Sequence, residues 1–368
     1  SRVAFSPNYD DDETIIAIVS DTTGTFLATG YRVIGSNTTL WEVTNPYYIE
    51  ISHMNTGALS PREDQLIYSD IVVPPDYDGD NASKRVVYVS YASTVYLLGD
   101  PNEIPDDVYR VAEPHAYRMN LKQGDNAPVF SIAYRDGTVL AGEVAADAAK
   151  GRAWVHFCDE PDASFPDWYE PEKRPSAGFG TGVGNAIVAY TPSGEWAVCG
   201  TSTNSVTTPA EWADVTLPGP WSGAGIDESA VSRAARGDDY SLWNQISLID
   251  TDIAQLCDYV LWLVGTVEEE PGNTMFLASV GAGMDSIWRS TALTEEDLGT
   301  LWQRVDFLDT PTDDIIMRRT PETGSDSATF YAVRDSQLLY RSVDEGQTWD
   351  RIHECPEDVT DVAIVSSE

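Results

Sequence analysis

The chain has 368 residues, of which 42% are hydrophobic and 10% aromatic, so it can bury a large core in one repeat fold or in two ordinary domains. Its 60 acidic and 22 basic residues give a formal charge of -38, which argues against nucleic acids and anionic membrane surfaces as partners. The longest apolar run, 259–264, is too short to span a bilayer, so we expect no direct membrane insertion.

Short strand-like segments separated by polar turns follow one another along the chain. In the first unit, residues 3–7 and 14–19 predict two strands joined by an acidic turn at 8–13, and residues 25–30 predict a third strand. Gly, Pro, Asp and Asn fill the intervals where an α/β fold would need helices. Later strands are predicted at 70–75, 85–90, 129–134, 138–142, 153–157, 186–190, 196–200, 259–262, 274–279 and 287–290.

Each unit closes on an aromatic corner, and the spacing of the corners is close to the size of a propeller blade, roughly 47 to 75 residues. The corners are Trp41, Tyr109, Trp168, Trp243, Trp302 and Trp349. Residues 362–365 resemble the first strand of another unit. We therefore predict an all-β fold, a β-propeller of six or seven four-stranded blades with Asp-box-like corners, and we favour seven.

The domain prediction follows from this repeat. Residues 1–368 are expected to form a single β-propeller domain, which belongs either to this chain alone or to a longer polypeptide. The segment 201–227 is rich in Ser, Thr, Pro and Gly. We interpret it as a surface insertion at a blade edge.

The last unit carries the strongest motif, Ser-x-Asp-x-Gly-x-Thr-Trp, at Ser342, Asp344, Gly346, Thr348 and Trp349. It resembles the Asp box of the sialidase/BNR repeat, which caps hairpins in β-propellers. Carboxylate and hydroxyl groups in such a turn can bond the local backbone, and glycine supplies a positive φ. The tryptophan is expected to enter the seam between neighbouring sheets.

Segments 3–8, 70–77 and 243–250 resemble large uncharacterised bacterial surface proteins with BNR-like propellers. That resemblance implies an extracellular or cell-surface location and carries no catalytic residues. Sialidases of this fold class have an Arg-Ile-Pro motif, which is missing here. Arg32, Arg289 and Arg341 stand at equivalent places just before their corners, which predicts a structural role for them.

The loop 76–81 is the candidate metal site. Asp76, Asp78 and Asp80 alternate in a short glycine-containing loop, a pattern that can direct carboxylates at a hard cation such as Ca²⁺. Val87 occupies the place of the bidentate glutamate of an EF-hand, so further ligands would have to come from elsewhere. An ordinary acidic turn is the alternative.

Other candidate sites concern sugars and thiols. Asn37 and Asn81 begin N-x-Ser/Thr sequons and are candidate glycosylation sites. Trp212 and Trp221 in the insertion, together with Tyr77, are candidate glycan contacts, or they pack the surrounding chain. Four widely spaced cysteines predict buried thiols, with two disulfides as the alternative.

Three functional classes follow. We predict a non-enzymatic structural or interaction protein of the cell surface, such as a subunit of an S-layer, sheath or filament. Self-assembly with other surface subunits is expected, and calcium is the one cofactor considered. A carbohydrate-binding propeller is the alternative, with glycans as partners. A sialidase-like glycoside hydrolase is the third class.

Overall fold

A computed structural model places most of the chain in antiparallel strands. It describes residues 2–20, 24–33, 35–36, 38–42, 48–53, 66–93, 106–123, 127–143, 154–176, 186–191, 193–201, 228–250, 260–269, 272–280, 285–292, 294–308, 316–319, 329–334, 337–344 and 348–364. Within these ranges the strands form six sheets. None of the helices described there has the length and apolar character needed to cross a bilayer. The predicted fold class, all-β with propeller blades, is confirmed.

The first three sheets follow the chain in simple up-and-down order, except that β5 pairs with β3 and not with β4. The first sheet contains β1 (Arg2–Phe5), β2 (Thr14–Ser20), β3 (Gly24–Arg32), β4 (Thr39–Glu42) and β5 (Tyr48–His53); the second contains β6 (Leu66–Val72), β7 (Val86–Ser93), β8 (Asp107–Ala112) and β9 (His115–Arg118); the third contains β10 (Val129–Arg135), β11 (Thr138–Glu143) and β12 (Val155–Cys158).

The remaining sheets are four-stranded antiparallel meanders. The fourth contains β13 (Ala186–Tyr190), β14 (Trp196–Thr201), β15 (Glu228–Ala235) and β16 (Asn244–Asp250); the fifth contains β17 (Val260–Glu269), β18 (Gly272–Val280), β19 (Asp285–Ala292) and β20 (Gln303–Leu308); the sixth contains β21 (Ile316–Arg319), β22 (Phe330–Arg334), β23 (Leu338–Ser342) and β24 (Asp350–Glu354).

The chain divides into two compact units. The first consists of residues 1–141, 156–169 and 360–368, and the second of residues 142–155 and 170–359.

Strand β7 shows how the first unit builds its core. Val87, Val89 and Tyr91 belong to one buried cluster, shared with the first sheet, whereas Tyr88 belongs to another, shared with the third sheet. Side chains of a strand alternate between its two faces, so a strand rich in Val and Tyr can enter two cores at once. Burial of such a side chain contributes about 1.5–3 kcal/mol.

Two local features differ from the sequence prediction. The acidic turn between β1 and β2 contains one helical turn, α1 (Tyr9–Asp12), because Glu13 adopts a left-handed conformation and bonds back to the Tyr9 carbonyl. Residues 361–364 form no strand, and Asp361 instead contacts β1. The described residues therefore give no support for a seventh blade.

Candidate functional site

The predicted metal loop is held against the first sheet by a buried aspartate. Asp12 accepts hydrogen bonds from Ser6 Oγ at 2.6 Å, Thr14 N at 2.9 Å and Gly79 N at 2.7 Å. Arg85 supports the same loop, since its Nε donates to the Gly79 carbonyl at 2.6 Å. The glycine of the loop, and not its aspartates, faces inward.

The three predicted calcium ligands lie nearer the surface. Asp76 and Asp80 are exposed and Asp78 is half-buried, with its Oδ1 accepting the Asp80 N–H at 3.0 Å. Within the described ranges, no three His, Cys, Asp or Glu side chains come together in a way that could hold a metal ion. Calcium binding at this loop stays a prediction.

The other predicted site residues are scattered. Asn81 is exposed, and its Oδ1 accepts the Ser83 N–H at 3.1 Å. Tyr77 is buried, with 4% of its surface exposed, and so is not available for stacking on a sugar. Asn37, Trp212, Trp221 and Gly346 lie outside the described residues. Cys158, Cys199 and Cys355 are free thiols, whereas Cys257 also lies outside the described ranges.

The Asp-box turn is held by its own side chains. Asp344 Oδ1 accepts hydrogen bonds from Ser342 Oγ and from the Thr348 backbone N–H, both at 2.8 Å. Asp344 Oδ2 accepts one from Thr348 Oγ1 at 2.6 Å. Trp349 is half-buried. These bonds stabilise the turn locally.

A row of polar and aromatic side chains crosses the second sheet from its core to its surface. Tyr88 on β7 lies opposite Arg110 on β8, and Arg110 lies opposite Tyr117 on β9. Tyr88 is buried, Arg110 is half-buried, and Tyr117 is 46% exposed. The Arg110 guanidinium lies 5.5 Å from the centre of the Tyr117 ring, a cation–π distance.

The segment after β12 lies along this row and fixes it. Asp162 Oδ1 accepts the Tyr88 hydroxyl at 2.8 Å, and the carbonyls of Pro161 and Ala163 accept Arg110 NH1 at 3.4 Å each. The corner residue Trp168 donates its indole N–H to the Met119 carbonyl at 3.0 Å. Sheets two and three therefore form a seam whose outer end is polar.

The outer end of this seam is an exposed aromatic surface, here called the Tyr117 surface and defined by Arg110, Tyr117, Asp162 and Phe165. Phe165 is 92% exposed and lies two residues after Ala163, whose carbonyl binds Arg110. Asp162 is exposed on the side not taken by Tyr88. Such a surface offers apolar faces for stacking, a guanidinium donor and a carboxylate acceptor.

The electrostatic character of the seam is negative. Burial, together with the carboxylates of Asp76 and Asp162, raises the pKa of Tyr134, whose ring stacks on Tyr88. Burial also raises the pKa of Tyr88, and its hydrogen bond to Asp162 adds to the effect. Both tyrosines are therefore neutral hydroxyl donors near neutral pH.

The arginine of this seam is one of a series. Arginines stand on the third strand of five of the six described sheets, each opposite a residue of the fourth strand. The pairs are Arg32 with Thr39, Arg110 with Tyr117, Arg233 with Asn244, Arg289 with Gln303, and Arg341 with Asp350. Three of them were predicted from the sequence as structural arginines, whereas Arg110 and Arg233 were not. Their equivalent position in the repeat was the signal that could have found them.

Comparison with known proteins gives a fold but no family. No family model matches the chain, and no curated protein matches it. The periplasmic gluconolactonase of Pseudomonas aeruginosa aligns with a TM-score of 0.54 and 11% identity, over 98% of this chain and 86% of its own. AofleA from Arthrobotrys oligospora aligns with a TM-score of 0.48 and 8% sequence identity, over 98% of this chain and 89% of its own. The catalytic domain of a GH62 α-L-arabinofuranosidase from Coprinopsis cinerea aligns with a TM-score of 0.37 and 11% sequence identity, over 65% of this chain and 72% of its own. The class shown is that of β-propeller-like proteins.

These comparisons correct two predictions. The chain was predicted to be a non-enzymatic structural subunit, and that prediction was wrong. The solved structure that contradicts it is a gluconolactonase, which aligns over 98% of this chain. The prediction that the chain is not an enzyme is contradicted by the same finding. The missing Arg-Ile-Pro motif does not decide whether the chain is an enzyme, because function depends on the site and not on the fold.

Proposed function

We propose that this protein is a sugar-directed β-propeller that binds saccharides at the Tyr117 surface. The observation that carries the proposal is the half-buried Arg110 between the exposed Tyr117 and the segment that bears Asp162 and the exposed Phe165. The likeness to a gluconolactonase over 98% of the chain supports the same chemical class of ligand.

The chemistry of the surface suits a sugar. The apolar face of a sugar ring packs on an aromatic side chain, while its hydroxyls need both donors and acceptors. Arg110 supplies N–H donors, and Asp162 supplies an acceptor that the Tyr88 hydroxyl already orients. Because the carbonyls of Pro161 and Ala163 already hold the Arg110 guanidinium, little conformational entropy of this side chain is lost on binding.

We also infer that the sheets are Asp-box-type repeats. The bonds of Asp344 to Ser342 and Thr348 support this, as does the arginine repeated on the third strands. The corner tryptophans add support. The indole N–H of Trp168 donates to the Met119 carbonyl just after the second sheet, and that of Trp302 donates to Ser247 in the fourth sheet.

The test is saccharide binding by the whole chain, on a glycan array and then by titration calorimetry with the best-bound sugar. Tyr117→Ala and Phe165→Ala should each weaken binding about tenfold, because stacking contributes roughly 1–1.5 kcal/mol. Ile352→Ala is the matched control, since Ile352 is 43% exposed on β24 of the sixth sheet. Wild-type binding to no saccharide, or full binding by both variants, would overturn the proposal.

A second function, hydrolysis of a sugar lactone or glycoside, is favoured by the gluconolactonase likeness alone. It is tested by following the hydrolysis of gluconolactone and of chromogenic glycosides on the same preparations. If every substrate is hydrolysed only at its uncatalysed rate, the hydrolase function is excluded. An extracellular location, glycosylation at Asn37 and Asn81, and glycan contacts at Trp212 and Trp221 remain predictions alongside it.

A further inference from the structure

The seam between the fourth and fifth sheets repeats the arrangement at Arg110. Arg233 on β15 lies with its guanidinium carbon 4.5 Å from the centre of the Trp196 ring on β14. The loop between β19 and β20 covers this part of the fourth sheet. There Trp302 donates its indole N–H to Ser247 Oγ at 2.9 Å, and Gly299 lies against Val231 and Ile246.

Arg233 keeps donor capacity in this seam. Its NH1 is buried and has no hydrogen-bond acceptor in the described part of the chain. Its NH2 lies 4.0 Å from Glu296 Oε1, at the outer limit of an ion pair. The side chains of Arg233 and Glu296 are 18% and 68% exposed. Because NH1 is enclosed, the donor that a ligand oxygen can reach is NH2, which lies beside the exposed Glu296 and has only this long contact to it.

We propose that Arg233, Glu296 and Trp196 form a second saccharide subsite, which takes a neutral sugar through two adjacent hydroxyl groups. One hydroxyl accepts a hydrogen bond from the guanidinium and its neighbour donates one to the carboxylate. The guanidinium lies against the Trp196 ring, which restricts the directions in which the donor can point. This inference rests on the proposed function and extends it from one subsite to two.

The carboxylate sets the class of sugar. Glu296 is followed by Asp297, which is exposed, so a sugar acid would meet like charges at this end of the seam. A neutral sugar meets none, and its hydroxyls can serve both partners. We therefore expect neutral glycosides to bind here and uronic acids to be rejected.

The experiment measures stoichiometry and affinity by titration calorimetry. The probes are the methyl glycosides of glucose, galactose, mannose and fucose, with glucuronic acid as the acidic sugar. The wild type should bind two molecules of a neutral glycoside per chain. Glu296→Gln and Arg233→Lys should each weaken one of the two sites by about tenfold or more, the effect of a lost hydrogen bond to a charged group. Glu357→Gln is the matched control, an exposed acidic residue in the same unit.

The outcomes separate the two proposals. Tyr117→Ala should weaken the other site about tenfold, and Tyr117→Ala combined with Glu296→Gln should weaken both sites. If Tyr117→Ala weakens all of the binding about tenfold while Glu296→Gln and Arg233→Lys bind as the wild type does, the second subsite is overturned and the proposed function stands. If the wild type binds none of the probes and no array glycan, the proposed function falls and this inference with it. Tight binding of glucuronic acid at the Glu296-dependent site would overturn the assignment to neutral sugars.

Discussion

The backbone N–H of Val3 donates a hydrogen bond of 3.0 Å to Oδ2 of Asp361, 358 residues further along the chain. The other carboxylate oxygen of Asp361 lies 3.8 Å from Arg2 NH1, and the Asp361 side chain is only 3% exposed. Residues 360–368 belong to the same compact unit as β1. A single carboxylate therefore attaches the segment after the sixth sheet to the first sheet.

Asp361→Ala is expected to destabilise the protein by about 2–4 kcal/mol. The variant removes the acceptor of a backbone N–H and the anionic partner of a guanidinium that is 13% exposed. Urea unfolding monitored by fluorescence measures the loss. Glu357→Gln, four residues earlier and exposed, should change stability by less than about 0.5 kcal/mol. Equal stability of the two variants would contradict the role assigned to Asp361.

Gly79→Ala is expected to cost about 1–3 kcal/mol. A Cβ at Gly79 would overlap Thr14 Oγ1 and lie 2.9 Å from Thr14 Cβ, so the loop would have to move off Asp12. Gly237→Ala provides the control, because a Cβ there meets no atom within 4 Å. Thermal unfolding of the two variants in parallel makes the comparison. A transition temperature for Gly79→Ala as high as that of Gly237→Ala would show that the contact between loop and sheet is not needed.

Asp344→Ala should loosen the Asp-box turn. The Thr348 amide would lose its acceptor, and we expect its hydrogen exchange in the native protein to accelerate by about tenfold, as for a loss of roughly 1–1.5 kcal/mol. Asp344→Asn keeps one carbonyl oxygen and should give a smaller increase. Protection of Thr348 that is the same in all three proteins would mean that the backbone alone holds the turn.

Stability is expected to fall at alkaline pH. Burial raises the pKa of the Cys158 thiol to about 12 from an ordinary 9.0. The folded state therefore keeps a proton that the unfolded chain releases above about pH 9, and the free energy of unfolding decreases as pH rises from 9 towards 12. Burial also raises the pKa of the Cys199 thiol, so its ionisation lowers stability at alkaline pH in the same way.

For Cys158 alone, we expect a loss of about 1–2 kcal/mol between pH 8 and pH 10.5. Urea midpoints at the two pH values measure the loss. Cys158→Ala, which has no thiol to titrate at this position, should show a smaller pH dependence. If the variant and the wild type lose stability equally over this interval, ionisation of Cys158 is not responsible.

Much of the fold could be predicted from sequence because it depends on short-range patterns. The alternation of Val and Tyr in 86–91 specifies a strand buried on both faces, and polar turns fix where strands end. The spacing of the aromatic corners identified Trp168 and Trp302. Their indole N–H groups donate hydrogen bonds to Met119 and Ser247, which belong to earlier parts of the repeat. These features need only the local chain and its period.

The candidate site could not be predicted in the same way. Sequence drew attention to Asp76, Asp78 and Asp80, yet the aspartate that holds their loop is Asp12, which is buried and accepts three hydrogen bonds. Among 60 acidic residues, nothing local distinguishes the one that meets Gly79 from 67 residues away. Burial of a carboxylate depends on donors that only the folded chain brings to it.

The sequence by itself determined an all-β chain of repeated antiparallel units with aromatic corners, because side-chain alternation and turn chemistry act over a few residues. Only the tertiary structure decided which aromatic residues are exposed. Tyr77 and Tyr117 both stand among polar residues, but Tyr77 is buried and Tyr117 is open beside Arg110. The difference arises from the packing of one sheet against the next, and packing places together residues that the sequence keeps far apart.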